Sequence, residues 1–211
     1  MSRYTDASCK LCRRETVKLF LKGSKCLTEK CPVERRAYPP GQHGQTGGRQ
    51  RKASEYAKQM REKQKVKRMY GLSEQQFRNT FDDVTREPGV KGTNLLVALE
   101  SRLDNIVYRM GFASSRKAAR QLIGHGHIQI NGHRVDIPSY RVAPGEEVRV
   151  APSSRENVSV KLAQESASRG QPVSWISVDA EKAAGRVTER PTRDAIPINA
   201  QEQLIVELYS K

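Results

Sequence analysis

The chain has 211 residues, 36% of them hydrophobic and 6% aromatic, so its apolar content suits thin, divided cores better than one large one. Lys and Arg outnumber Asp and Glu by 38 to 23, a net charge of +15 that repels itself unless a polyanion neutralises it. No apolar run approaches the roughly 18 residues of a membrane span, and Met1-Ser2-Arg3-Tyr4-Thr5-Asp6 lacks the apolar stretch of a secretory leader. These features point to a cytoplasmic chain with reduced thiols and no membrane partner.

The surplus is uneven: residues 1–70 carry 19 Lys/Arg against 6 Asp/Glu, whereas residues 151–211 balance at 8 against 8. Such asymmetry favours contact with nucleic acid over a merely solvated surface. Residues 1–53 are expected to be irregular, because Gly23, Pro32, Pro39-Pro40-Gly41, Gly44 and Gly47-Gly48 interrupt every candidate helix. The four cysteines all lie here, as Cys9-x2-Cys12 and Cys26-x4-Cys31, thirteen residues apart. Two thiolate pairs on separate loops can close a tetrahedral site with no position open for catalysis, which suits structural Zn2+. An iron–sulfur cluster uses the same number of ligands and is the alternative. Lys10, Arg13, Arg14 and Lys22 surround the pairs, and Arg35, Arg36, His43, Arg49, Arg51 and Lys52 follow along the Pro/Gly-rich loop. All are candidate RNA contacts.

From Ser54, a candidate N-cap, the pattern turns helical, with Tyr56, Ala57, Met60, Val66, Met69 and Tyr70 on one face before Gly71. Arg61, Lys63, Lys65, Lys67 and Arg68 cover much of the remainder and are further candidate RNA contacts. Ser73-Glu74-Gln75-Gln76 spells a capping box before Phe77 and Phe81. Thr93 opens a helix striped by Leu95, Leu96, Leu99, Leu103, Ile106, Val107 and Met110 and closed by Gly111.

A short helix follows, capped by Ser114 or Ser115, with Ala118, Ala119, Leu122 and Ile123 inward and Gly124 and Gly126 at its end. His127 to Ile130 alternates as a strand, Asn131-Gly132 makes a hairpin turn, and His133 to Val135 returns. Pro144-Gly145 turns the chain again before a strand at Val148 to Val150. Val160 to Ala167 reads as a helix, Trp175 to Val178 as a strand, and Leu204 to Tyr209 as a terminal strand. In the helix–hairpin unit Arg116, Lys117 and Arg120 share an arc, since spacings of three and four share a face. His125, His127, Asn131 and Arg134 extend that arc as candidate RNA contacts.

Three patterns suggest other chemistry. Gly41-Gln42-His43-Gly44 and Gly47-Gly48 lack the Lys-Ser/Thr of a P-loop and read as a loop that lets backbone approach RNA. His125, His127 and His133 have no carboxylate or cysteine at ligand spacing. Arg102-Leu103-Asp104 resembles the tripeptide of pseudouridine synthases, but it lies in the leucine-striped helix, where Asp104 suits a surface or salt-bridge contact.

The run Ser114 to Gly132, with Arg102-Leu103-Asp104 before it and Pro138-Ser139-Tyr140 after it, resembles the RNA-binding domain of the S-four family of bacterial small-subunit ribosomal proteins. Arg35-Arg36-x-Tyr38-Pro39-Pro40-Gly41-Gln42-His43-Gly44, Arg61 to Lys65, Tyr70-Gly71, Phe77-Arg78-Asn79 and the ending Leu204 to Lys211 resemble the same family. The resemblance implies the cysteine-containing, zinc-binding form and a non-enzymatic constituent of the small subunit. It also implies early binding to the 5′ domain of 16S ribosomal RNA and contact with neighbouring ribosomal proteins, especially the fifth. A place beside messenger RNA where it enters, an influence on decoding accuracy and, in some members, repression of their own messenger follow from the same likeness. The expected fold is α+β: a basic metal-binding segment at 1–53, an α-helical lobe at 54–92, and a mixed α/β lobe at 93–211. The last would hold an antiparallel sheet and the RNA-binding module at about 100–160.

Overall fold

The computed structural model describes residues 4–46, 53–167 and 173–210, and the chain falls into two units, Met1–Gly92 with Asn199–Lys211, and Thr93–Ile198. The first unit begins with α1 (Ser8–Glu15), which ends where Thr16 takes a left-handed φ of 57°. A 3-10 turn at Gly23–Leu27 buries Cys26. Then α2 (Pro32–Arg35) starts on Cys31, with proline at a position whose missing N–H loses no helical bond. Next comes α3 (His43–Thr46). The segment expected to be irregular is therefore a series of short helices. Gly23 and Pro32 begin two of them, and the segment buries Leu19, Cys12, Cys26 and Cys31 rather than a periodic apolar face.

Ser54 caps α4 (Glu55–Tyr70) by accepting the Ala57 N–H at 3.2 Å, and Gly71 ends it at φ 64°. Its buried stripe is Gln59, Lys63, Val66 and Tyr70, while Tyr56 is 57% exposed, so the inward face is rotated from the one expected. Two polar residues are inward because each has a partner: Gln59 donates to Glu207 at 3.0 Å and Lys63 pairs with Glu74. Glu15 of α1 is also buried, and Arg61 (3.3 Å) and Arg68 of α4 pair with it. The Ser73 capping box opens α5 (Glu74–Thr85), which buries Phe77, Phe81 and Val84.

The second unit starts with α6 (Lys91–Glu100) and α7 (Leu103–Arg109), which together replace the single expected helix. The break is at Arg102, extended at φ −67° and ψ 139°. There the Leu103 N–H donates to Tyr140 O at 2.8 Å and the Asp104 N–H to Pro138 O at 3.1 Å. A loop thus satisfies the opening amides of α7 that no helical carbonyl can reach. Ser115 caps α8 (Arg116–Gly124). The strands β1 (Ile128–Ile130) and β2 (His133–Arg134) form the expected hairpin, with Asn131 at φ 48° and Gly132 at φ 86° in its turn. Next are β3 (Glu147–Val150), α9 (Val158–Ala167), β4 (Ile176–Asp179) and β5 (Ala184–Val187). The five strands pair antiparallel in the order β2-β1-β3-β5-β4. Val148, Val150, Ile128 and Ile130 alternate inward against Ile106, Phe112, Ile123 and Trp175, forming this unit's core.

The chain closes with α10 (Glu202–Tyr209), a helix where a strand was expected, and it belongs to the first unit rather than to the α/β lobe. Ile205 is fully buried, and Tyr209, one turn on, stacks on Phe81 at 4.7 Å and Phe77 at 6.3 Å. No helix among the described residues is long and apolar enough to cross a membrane.

Candidate nucleic-acid interface

In the first unit the cations divide by partner. Arg13 of α1 is half-buried and committed: its guanidinium donates to Tyr38 O at 3.0 Å and Pro39 O at 3.3 Å, and lies 4.6 Å over the Tyr38 ring. It ties the Pro-rich loop to α1. On α4, Arg61 and Arg68 serve Glu15, Lys63 and Lys67 serve Glu74, and Lys65 pairs with Glu62 at 2.7 Å. Burial pushes the Glu74 carboxyl up, but the two lysine ammoniums outweigh it and hold it at about 2. The cations of α4 thus assemble the unit from within. By contrast Lys10, Arg14, Lys22, Lys25, Lys30, Arg35 and Arg36 are exposed and enter no ion pair among the described residues. His43 is exposed as well. Arg49, Arg51 and Lys52 lie outside the described residues.

The open cations lie close to the cysteines along the chain. Cys12, Cys26 and Cys31 are buried and Cys9 is half-buried. Burial pushes the Cys12 thiol up to about 11 against an N–H donated by Leu19, and the neighbouring Cys26, Cys9 and Cys31 add to the rise. Cys26 is raised in the same way, by burial first, although it accepts the Lys22 N–H at 3.3 Å. No three metal-capable side chains among the described residues are already set as a metal cage. Backbone amides nevertheless point at two of the sulfurs, Cys12 and Cys26. Four cysteine sulfurs, three of them buried and the fourth half-buried, are the donor set that a structural dication takes, so the residues present fit one by their chemistry.

In the second unit α8 and the β1–β2 hairpin carry the remaining candidates. Arg116 is 9% exposed, donates to Asn105 at 2.8 Å and stacks 4.7 Å over Tyr108. Arg120 donates to Asp104 at 2.9 Å. Only Lys117 of the three turns outward. His127 shares a 2.8 Å hydrogen bond with Ser154, and the exposed His125 meets it edge-on at 5.9 Å. Arg134 donates to the His125 carbonyl at 3.2 Å, so the hairpin is latched to the end of α8. Gly126, at φ 73°, lies beneath that guanidinium, and a Cβ there would fall 1.8 Å from it. Asn131 accepts the Glu147 N–H at 3.0 Å, fixing the hairpin tip. Lys117, His125, Asn131 and Arg134 are the predicted residues that this unit leaves exposed.

The signature described as Ribosomal protein S4/S9 N-terminal domain matches residues 3–100, and that of the S4 domain matches residues 101–148. The chain is 57% identical over 211 residues to the small ribosomal subunit protein uS4 of Syntrophomonas wolfei, covering 100% of both. It is 53% identical over 215 residues to that of Thermodesulfovibrio yellowstonii and 52% over 212 residues to that of Thermus thermophilus, again covering 100% of each. The chain belongs to the uS4 family.

The two uS4 family segments meet at residue 100, beside the break between α6 and α7 that the leucine stripe concealed. Asp104, whose tripeptide resembles a nucleophile's, is 1% exposed, with Arg102 forked onto it at 3.1 Å and Arg120 beside it. A carboxylate so enclosed holds α7 to α8 and has no approach for a substrate. One further candidate contact is Arg149 of β3, missed in the sequence. Pairing puts Arg134, Gln129 and Arg149 in one row across β2, β1 and β3, and Arg149 donates to Gln129 at 2.8 Å. Its signal was the alternation of β3, in which Glu147 and Arg149 are the half-buried positions between Val148 and Val150.

Proposed function

We infer that this chain is a structural constituent of the small ribosomal subunit that binds 16S ribosomal RNA and catalyses no reaction. The observation that carries the reading is full-length similarity to uS4 proteins, joined to a run of exposed cations, Lys10, Arg14, Lys22, Lys25, Lys30, Arg35 and Arg36, that enter no ion pair among the described residues. Within that reading the 5′ domain of the RNA is the target. Uncompensated cations of residues 1–53 supply most of the phosphate neutralisation, and the helix–hairpin surface at Lys117, His125, Asn131, Arg134 and Arg149 recognises shape. Neighbouring small-subunit proteins, especially the fifth, and messenger RNA near its point of entrance are its other contacts. From there it influences decoding accuracy, and repression of its own messenger is a second role. The site of action is the cytoplasmic ribosome.

Cys9, Cys12, Cys26 and Cys31 would hold the zinc ion. A bound dication supplies a cross-link between α1 and the segment around Cys26 and Cys31, with no open position for catalysis. The residues around it then present Lys10, Arg14, Lys22, Lys25 and Lys30 on a rigid support, which lowers the entropy lost on docking.

A salt titration of binding to purified 5′-domain RNA tests the reading. With about 6–10 phosphates contacted, affinity should fall roughly 10³–10⁵-fold between ~50 and ~200 mM salt, on values drawn from duplex DNA. Deleting residues 1–53 should weaken binding and flatten that slope. Equal affinity and slope after the deletion would refute the division of labour, and absence of binding by the full chain would refute the reading itself.

A further inference from the structure

Between the two cysteine pairs the chain doubles back at residues 19–22. The backbone N–H of Lys22 donates to Cys26 Sγ at 3.3 Å. Leu19 is fully buried. Between the buried Leu19 and the Lys22 amide that is turned to Cys26, Phe20 takes a φ of 50°. Its side chain is left 41% exposed.

That placement is unfavourable twice over. The left-handed region disfavours a bulky side chain, and an exposed phenyl ring gains little from burial, so glycine or asparagine would suit this corner better in the isolated protein. The other non-glycine residues with positive φ among the described residues are Thr16, Asn131 and Ala183, two of which are a helix cap and a hairpin turn. Backbone strain that the surroundings enforce is a feature of binding sites. The chain beside Phe20 is cationic: Lys22 and Lys25 are exposed and enter no ion pair among the described residues, while Lys18 is held by Glu34 at 2.5 Å.

We propose that Phe20 is a stacking platform on which an unpaired base of the bound RNA lies, flanked by Lys22 and Lys25 on the adjoining phosphates. An aromatic face accepts any base, and open ammonium groups beside it complement the nucleotide backbone rather than an apolar protein surface. The inference rests on the RNA-binding reading above and names one residue of that contact.

Full-length Phe20→Gly, Phe20→Leu and Phe20→Tyr variants separate stacking from folding. Glycine relieves the strained φ, so Phe20→Gly should melt no lower than the parent. Phe20→Gly and Phe20→Leu should each bind the 5′-domain RNA about five- to 150-fold more weakly, as loss of one stacked base implies, with the salt slope unchanged. Phe20→Tyr should bind like the parent. Base-specific chemical probing should show one unpaired nucleotide protected by the parent and by Phe20→Tyr and exposed in the other two. Parent-like affinity of Phe20→Leu, a changed salt slope, or no base newly exposed would each overturn the proposal while leaving RNA binding intact. Failure of the parent to bind would instead defeat the functional reading.

Discussion

Replacing Glu100 with glutamine should unfold the second unit more readily than any loss of RNA affinity would suggest. Glu100 is fully buried, and its two oxygens accept from Arg109 at 2.8 and 3.0 Å and from Asn105 at 2.8 Å. Arg116 stands 3.9 Å away, and the side chains of Arg109 and Arg116 are only 12% and 9% exposed. The carboxylate is thus a shared counter-charge for two enclosed guanidinium groups. Glutamine keeps the shape but removes the charge and turns an N–H₂ toward a donor. Breaking a buried pair in this way costs about 3–5 kcal/mol, a large part of the ~5–15 kcal/mol that holds a domain together. The assay is built in, because Trp175 is the sole tryptophan, is fully buried and lies in this unit. Its emission during urea unfolding should show a midpoint lower by roughly 1.5–2.5 M for a slope near 2 kcal/mol/M. Removing Arg109 in the same chain, as Arg109→Met, should return at least about 1 kcal/mol of the loss. A cost below about 1 kcal/mol, or no coupling to Arg109, would refute the enclosed network.

Three further outcomes follow from particular contacts. Glu74 ionises at about 2 when folded against an ordinary 4.5, so its contribution is complete above pH 4.5 and is lost as pH falls toward 2. With its side chain 32% exposed, solvent screening leaves about 1 kcal/mol. Hydrogen exchange in α4 should therefore be less acid-sensitive in Glu74→Gln than in the parent, and superposable profiles would show the lysine pairs to be screened out. The Tyr209 hydroxyl donates to Glu74 at 3.1 Å while its ring stacks on Phe81, so Tyr209→Phe should cost about 1 kcal/mol and Tyr209→Ala about 2–3, read by exchange in α10. In the hairpin, Gly126→Ala strains a φ of 73° and displaces the Arg134 guanidinium. It should destabilise β2 by about 1 kcal/mol or more and weaken RNA binding, and an unchanged affinity would remove Arg134 from the interface.

Local rules carried the sequence reading wherever one residue's backbone chemistry decides. Ser54, Ser73 and Ser115 cap helices as their spacing implied, and Asn131-Gly132 turns the hairpin at positive φ. The reading failed where partners are distant in the chain. The leucine stripe runs unbroken from Leu99 to Leu103, yet the helix stops, because the carbonyls that satisfy α7 come from Pro138 and Tyr140. Ile205 and Val206 suggested a strand by composition, whereas Ile205 and Tyr209 one turn apart are what α4 and α5 require. Spacing placed Arg116 and Arg120 on one arc correctly, but Asn105 and Asp104 claim them. Along α4 the cations that charge counting assigned to RNA pair with Glu15 and Glu74, partners that spacing alone does not reveal. Periodicity identifies a face; only packing shows whether that face looks outward.

The split composition of the first unit bears on how the chain is made. Thr93–Ile198 is continuous, so its core can close as soon as those residues leave the tunnel, whereas α4 must wait for α10, which is translated after that whole stretch. The usual order, in which the earlier domain matures first, is inverted. Until α10 is made, Phe77 and Phe81 lack the Tyr209 ring that covers them, and the lysines of α4 lack part of their anchorage. The first unit therefore lacks one of its helices until the last residues of that unit are made.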